Sequence, residues 1–363
     1  MSYAHGISDY TIAGIQQIGI GIPDKERAWR WYRRHFNMDV AVFQEAAEAP
    51  LMTRYTGGSV QSRDAALALN MAGGGGFEIW QYTSRTPVPS AFQPAAGDLG
   101  ILAARIKAPD VRAVERRLRD SRVNVIGSTV ADPAGNPHLF VSDIHGFLFD
   151  VVQDCGGWFG RTGASLTGGV AGALIGVSDI DAARRLYGDI LGYDQVIYDT
   201  SGRFDDLGPL PGGAAALRRV LLGHSRTRSG AFSPLLGPTR LELVQGLDHA
   251  GRRIFSGRFW GDMGFIHLCF DVAGMDALKR AAEAAGFGFT VDSGDTFDMG
   301  EAGGRFAYLE DADGTLIEFV ETHKVPIVKR IGWHLDLTRR DARKPLPRWM
   351  LKAMGIGRIK DRP

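Results

Sequence analysis

A strand–turn–helix unit recurs along this chain, and that repetition limits the available folds more than any other feature. The segments IGIGIPDKERAWRWYRRHFNMDV and GALIGVSDIDAARRLYGDILGYD align without a gap once Asp24 is set on Asp179. The alignment superposes Tyr32 on Tyr187, Phe36 on Leu191 and Asp39 on Asp194. LAARIKAPDVRAVERRLRD and HLCFDVAGMDALKRAAEAAGF repeat the plan. Their partner strands, FVSDIHGFLFDVV and YLEDADGTLIEFV, align Asp143 with Asp311 and Gly146 with Gly314. Each unit runs from an apolar strand through a turn carrying Pro, Asp or Gly. It continues into a helical stretch with apolar residues three and four apart, such as Ala182, Leu186 and Ile190. Asp-x-x-Gly reads as a hairpin turn, because Gly tolerates positive φ. The repetition predicts units at 12–82, 98–154, 169–247 and 262–323, followed by a tail over 324–363.

Several segments interrupt the repeat. CGGWFGRTGASLTGG reads as a linker between units two and three. Unit three contains a long insertion, DTSGRFDDLGPLPGG and HSRTRSGAFSPLLGP, of a length that belongs to a mobile loop or to the wall of a binding site. The run Gly73 to Gly76 precedes the strand FEIWQY. Without a helix after it, it reads as a hairpin turn and not a phosphate cradle.

With 363 residues, 44% apolar and 23% charged, the chain has the composition of a globular protein with room for about two domains. It has no apolar run near the ~20 residues of a membrane span, and MSYAHGISDYTIAG lacks the features of a signal peptide. Cys155 and Cys269, the only cysteines, are too few for a disulfide framework and suit buried thiols in a reducing cytoplasm. The net charge of +1 hides an asymmetry. Residues 324–363 hold twelve Lys/Arg and three Asp, a net of +9, so the body carries −8.

The strand–Asp–helix–strand units resemble the vicinal oxygen chelate superfamily, which includes glyoxalase I, extradiol dioxygenases, epimerases and bleomycin-binding proteins. The resemblance covers about residues 12 to 323. It implies an α+β fold of four βαβββ modules forming two cupped mixed sheets, with a metal ion in the cup. Carried over by position, the first-strand ligand stands seven residues before the turn Asp. This is Gln17 before Asp24 in unit one, and His267 before Gly274 in unit four, where Gly replaces Asp. The last-strand ligands are Glu78 and Glu318. Units two and three offer Ala103 with Asp150 and Gly172 with Glu242, and neither Ala103 nor Gly172 has a ligating side chain. Pairing module 1 with module 4, and module 2 with module 3, therefore leaves one complete site and one broken one. Sequential pairing would leave two sets of three.

An amide oxygen, two carboxylates and an imidazole suit one divalent ion: Zn, Mn, Co, Ni or Fe. Such an ion polarises a carbonyl and stabilises an enediolate. The second glutamate makes the set more like that of glyoxalase I than like the two-His, one-carboxylate site of oxygen-activating relatives. The resemblance implies Glu318 as proton acceptor and Glu78 as its counterpart on the opposite face. The expectation is a metal-dependent isomerase or epimerase, or a lyase, acting on a hydroxyketone or polyol ketone. An extradiol-type ring-cleaving dioxygenase and a non-catalytic binding protein of the resistance type stand as alternatives. The expected partner is a small-molecule substrate, with neither nucleic acid nor stable membrane insertion, and homodimerisation is left open.

Taken singly, these residues have blander readings. Glu78 and Glu318 would be solvated strand residues, His267 a satisfied core histidine, and Gln17 an outward residue with Gln16 on the other face. Structural or surface roles are expected for His138 and His145 of unit two, and for His323. The same holds for His35, His224, His249 and His334, which read as helix or loop positions. Trp80, Tyr82, Phe306 and Tyr308 are candidates to line the cup, and Arg305 reads as a solvated charge or a substrate contact. The tail is expected to dock on the protein. Its alternatives are an anionic membrane surface, through Trp349, Met350, Leu351 and Met354, or nucleic acid.

Overall fold

The computed structural model describes residues 9–154, 156–163, 165–294, 297–299, 302–328 and 333–359, so Cys155 lies outside the described residues. The first unit comprises β1 (Thr11–Gly21), α1 (Lys25–Phe36), β2 (Val40–Glu48), β3 (Ser62–Leu69) and β4 (Gly76–Tyr82). The second comprises β5 (Gly100–Ala108), α2 (Val111–Asp120), β6 (Asn124–Ala131), β7 (Pro137–Ser142) and β8 (Leu148–Gln153). In the third, β9 (Val170–Gly176) leads into α3 (Ile180–Arg184), which widens into a π-helical turn over Arg185–Ile190. It then runs through β10 (Gln195–Gly202), β11 (Leu217–Gly223), the short α4 (Ser233–Leu236) and β12 (Arg240–Gly246). The fourth holds β13 (Gly264–Ala273), α5 (Met275–Ala284), β14 (Val291–Asp292), β15 (Phe297–Met299), β16 (Ala302–Glu310) and β17 (Leu316–Thr322). A hairpin of β18 (Lys324–Val328) and β19 (Trp333–Asp336) follows, and then α6 (Arg348–Ala353).

The strands form two large mixed sheets. One runs β14-β16-β17-β13-β1-β4-β3-β2 with β15 added to β16, and the other runs β10-β11-β12-β9-β5-β8-β7-β6. Module 1 is thus joined to module 4 through the antiparallel β1–β13 pair, and module 2 to module 3 through β5–β9. One apolar core joins all four units. It contains Ile18, Trp29, Tyr32 and Phe77 from the first unit and Ile106 and Phe149 from the second. Leu222 and Leu243 come from the third, and Phe270 and Phe319 from the fourth.

The helix starts explain the fixed spacing of the repeat. Asp24, Asp110 and Asp179 are N-caps whose side chains accept hydrogen bonds from backbone N–H groups of the first helical turn. From there α1 buries Ala28, Trp29, Tyr32 and Phe36 along one stripe. Gly274 caps α5 without a side chain, and Glu321 of β17 supplies the missing carboxylate. Its Oε1 accepts from Gly274 N at 2.5 Å and Met275 N at 3.3 Å. A Cβ at Gly274, where φ is +85°, would lie 2.6 Å from the Asp9 carbonyl oxygen.

Two segments differ from their sequence readings, and the glycine run, a hairpin turn as read, has a second role. The linker is docked: Phe159 is buried, and its N–H bonds the Ala72 carbonyl. The glycine run turns between β3 and β4 and also bridges the two halves, since Gly75 and Val170 exchange backbone hydrogen bonds of 2.8 Å. The insertion of unit three folds back, burying Asp206, Leu207 and Leu210.

The tail lies on the body. Leu346 and Leu351 pack with Val40, Leu69 and Met71, and each such burial is worth ~1.5–3 kcal/mol. Arg348 bonds the Phe159 carbonyl at 2.8 Å, and Arg358 pairs with Asp39 at 2.9 Å. Of the four residues read as an amphipathic face, Leu351 is buried while Trp349 is 65% exposed. Among the described residues, no helix is long and apolar enough to cross a membrane.

Candidate metal centre

The four central strands of the first sheet, β4, β1, β13 and β17, each bring one buried polar residue to the same place: Glu78, Gln17, His267 and Glu318. His267 Nε2 lies 3.3 Å from Glu78 Oε2 and 3.0 Å from Glu318 Oε2. The Gln17 amide nitrogen is 3.4 Å from the same Glu318 oxygen. One donor atom from each of Glu78, His267 and Glu318 falls within 4.8 Å of the others. His267 Nε2 is close to both carboxylates, yet neither contact has hydrogen-bond geometry, and Gln17 Oε1 is also buried without a partner. Apart from the long Gln17–Glu318 hydrogen bond, these groups crowd together without bonding one another and converge on a shared centre.

Two backbone features create this convergence. The β1–β13 ladder shifts register between Ile15 and Gln17 and again between Gly19 and Ile20, and such bulges re-aim side chains. The first shift breaks strict alternation, so Gln16 does not turn away as expected; its Oε1 contacts Cys269 Sγ at 3.8 Å. Gly19 lies opposite both His267 and Glu78. A Cβ on Gly19 would sit 2.4 Å from His267 Cε1 and 2.7 Å from Nε2. The imidazole therefore rests on bare backbone, which makes Gly19 a site residue that the sequence reading missed. Its place two residues after Gln17 was the available signal.

The electrostatics suit a cation. Burial opposes charge on His267, but Glu318 and Glu78 outweigh it and raise its pKa to about 10. Burial pushes the Glu318 carboxyl up, and His267 more than offsets this, so it ends below its ordinary value. Without metal, one proton holds the charges together; a divalent ion fits the same donors and would displace that proton. Tyr308, the cross-strand partner of Glu318, brings its hydroxyl within 3.4 Å of His267 Nδ1 and fixes the ring from behind. Burial, with Glu318 and Glu78 beside it, holds the Tyr308 hydroxyl well above its usual pKa.

An aromatic cluster walls the cup. Trp80 and Tyr82 follow Glu78 at alternate positions of β4, and Trp260 packs edge-on against Trp80 at 4.7 Å and against Tyr308 at 6.3 Å. Phe306 is partly buried in the same cluster. Arg305 takes no part: it is ion-paired at 2.7 Å with both Asp276 and Asp292, so it is neither a solvated charge nor a free handle.

The second sheet places Asp150 and Glu242 at the equivalent last-strand positions, but cations of the protein occupy the space between them. Arg105 bonds Asp150 at 2.9 Å and pairs with Glu242 at 3.3 Å, and Arg219 bonds Glu242 at 2.6 Å. Asp206, delivered by the insertion, pairs with Arg219 at 2.7 Å and lies 3.3 Å from His138, which contacts Asp150 at 2.8 Å. Three carboxylates thus meet two guanidinium groups and one histidine. Burial lowers the His138 pKa, but Asp150 and Asp206 outweigh it and raise it to about 10. This cup is filled by its own charge network.

Other histidines have partners the sequence did not reveal. His224 contacts the Gly192 carbonyl at 2.9 Å, His249 pairs with Asp248 at 2.9 Å, and His323 lies 3.3 Å from Glu321.

The sequence model of the Glyoxalase/Bleomycin resistance protein/Dioxygenase superfamily matches residues 173–308. Among solved structures, glyoxalase I from Zea mays superposes with a TM-score of 0.51 at 13% identity, over 86% of this chain and 92% of that one. A putative dioxygenase from Bacillus subtilis subsp. subtilis str. 168 gives 0.53 at 16% identity, over 86% of both chains. At these identities the likeness is one of fold. No curated protein matches the sequence. With two cupped sheets built from four repeated units, and a family match across the third and fourth, this chain is similar in fold to the glyoxalase/bleomycin resistance protein/dioxygenase superfamily.

Proposed function

We propose that the chain is a divalent-metal-dependent isomerase or epimerase that moves a proton next to the carbonyl of a hydroxyketone or polyol ketone. The observation that carries this reading is the pair of carboxylates, Glu78 and Glu318, flanking His267 Nε2 at 3.3 and 3.0 Å in a buried cup. Gln17, Glu78, His267 and Glu318 would hold the ion. When bound, it supplies Lewis-acid polarisation of the substrate carbonyl and so acidifies the adjacent C–H.

The protein's own groups do the rest. Glu318 accepts the proton from carbon, and Glu78, across the imidazole, returns one to the other carbon or the other face. His267 stays neutral while it is a ligand, with Tyr308 holding its Nδ1 side. The aromatic wall excludes bulk water, so an abstracted proton is retained near the substrate.

The test combines metal analysis with proton exchange in D2O. The full chain, loaded with Zn, Mn, Co, Ni or Fe, is incubated with dihydroxyacetone and with a cyclic polyhydroxylated ketone, and loss of the α-proton signal is followed by NMR. Exchange that needs stoichiometric metal and disappears in Glu318→Gln supports the reading. Oxygen consumption with a catechol and Fe²⁺, without α-proton exchange, would replace it with ring-cleaving chemistry. A metal-free chain that binds ligand tightly would replace it with a binding role.

A further inference from the structure

Two buried indoles beside the cup have no hydrogen-bond partner. Trp80 is fully buried and Trp260 is 7% exposed, and the Nε1 of each is enclosed without an acceptor. Two other indoles among the described residues are satisfied: Trp29 donates to the Met38 carbonyl at 2.8 Å and Trp158 to the Asp154 carbonyl at 3.1 Å. A buried N–H that gives up water without gaining an acceptor costs free energy, and such groups usually mark a missing partner. Two of them 4.7 Å apart, ring to ring, in the apolar cluster that includes Tyr308, form a group and not an accident of packing.

Their placement connects the metal residues with an opening. Trp80 stands two residues from Glu78 on β4, and the backbone of Gly261 closes against its ring. Trp260 also lines a cavity of 470 Å3, together with Phe255, Phe259, Ile266 and Leu316. Leu316 is the parallel-strand neighbour of His267. Trp260 thus belongs both to the lining of this cavity and to the cluster that holds Trp80 and Tyr308, and the cavity volume is in the range of small-molecule sites.

We infer that Trp80 and Trp260 are specificity-determining residues whose indole N–H groups bind an acceptor oxygen of the substrate beyond the two oxygens that face the metal. The substrate class narrows to flat or cyclic hydroxyketones carrying a further ring, hydroxyl or carbonyl oxygen. Aromatic faces enclose the body of the molecule, and two neutral donors read its far side. The inference rests on the proposed metal site but not on the proton-transfer step.

Two flat, bidentate hydroxyketones separate the possibilities. Kojic acid carries a ring oxygen and a hydroxymethyl oxygen beyond its chelating pair; tropolone carries only the pair. The full chain, loaded with Zn²⁺ and labelled with ¹⁵N in its seven tryptophans, is titrated with each probe and its indole N–H resonances are followed. Kojic acid should shift two indole resonances, assigned by their loss in Trp80→Phe and Trp260→Phe, while tropolone leaves them in place. Trp260→Phe should weaken kojic acid about tenfold, as expected for one lost hydrogen bond, and tropolone less than about twofold. Equal weakening of both probes, or a wild-type spectrum in which kojic acid moves neither indole, overturns the inference. Wild-type resonances decide the matter even if Trp80→Phe does not fold. Indole shifts without α-proton exchange would leave this subsite standing while the isomerase reading fails, and a chain that takes up no Zn²⁺ removes both.

Discussion

The Tyr32 hydroxyl donates to Asp143 Oδ2 at 2.7 Å, and the aligned pair repeats the bond: Tyr187 donates to Asp311 Oδ2 at 2.8 Å. Each tyrosine lies in the helical segment of one unit and each aspartate in the hairpin of the next. The other oxygen of each aspartate accepts from two backbone N–H groups of its own turn. These bonds tie unit one to two and unit three to four, while the sheets tie one to four and two to three. The four units close into a ring of contacts.

Loss of either hydroxyl should therefore be felt globally. Tyr32→Phe leaves a buried carboxylate oxygen without its donor, at a cost of about 1–3 kcal/mol. Tyr187→Phe should cost a similar amount. Equilibrium denaturation measures both; a change under ~0.5 kcal/mol in each would show that the ring closure is not held by these bonds.

Metal uptake should be one ion per chain. The first cup presents convergent donors, whereas Arg105, Arg219 and His138 already neutralise the carboxylates of the second. Equilibrium dialysis with Zn²⁺ or Mn²⁺ should give a stoichiometry near unity, lost in His267→Ala. Two ions per chain would contradict the account of the second cup.

Gly19→Ala tests the floor of the site. Its Cβ would fall 2.4 Å from the imidazole, and His267 is fully buried with little room to retreat. The expected result is a folded protein whose metal affinity drops at least tenfold, that is ~1.4 kcal/mol or more. Unchanged affinity by isothermal titration would mean that the ring can shift freely.

Stability should respond to pH through His138. Its folded pKa of about 10 lies above the ordinary value. Its contribution is therefore fully present below about pH 6.5 and is lost as pH rises toward 10, at up to ~1.4 kcal/mol per pH unit. Urea unfolding of the metal-loaded chain between pH 6 and 10 should show a steeper decline for wild type than for His138→Gln. Parallel curves would mean that His138 is neutral in the fold.

Much of the architecture was legible because helix capping imposes a register. An N-cap residue, aspartate in three units and Gly274 in the fourth, marks where each helix begins, so a residue seven positions earlier falls at an equivalent point of each first strand, as Gln17, Ala103, Gly172 and His267 do. Comparison of those positions was enough to predict which units meet. The bulges in β1 were not legible, since strict alternation sends Gln16 to the opposite face while the observed register shift keeps it near Cys269. Nor was the capping of α5 by Glu321, which depends on a strand 47 residues away.

The repeat and its ligand types, then, belong to the sequence: local propensity and capping act over a few residues and need no distant partner. The tertiary structure decided how charge is distributed between the cups. Arg105, Arg219, His138 and Asp206 come from separate strands and an insertion, and only folding brings them among Asp150 and Glu242. Among the described residues, Gln17, Glu78, His267 and Glu318 meet with no arginine or lysine paired to them. Buried charges must be compensated by whatever the fold places next to them, and that neighbourhood cannot be read along the chain.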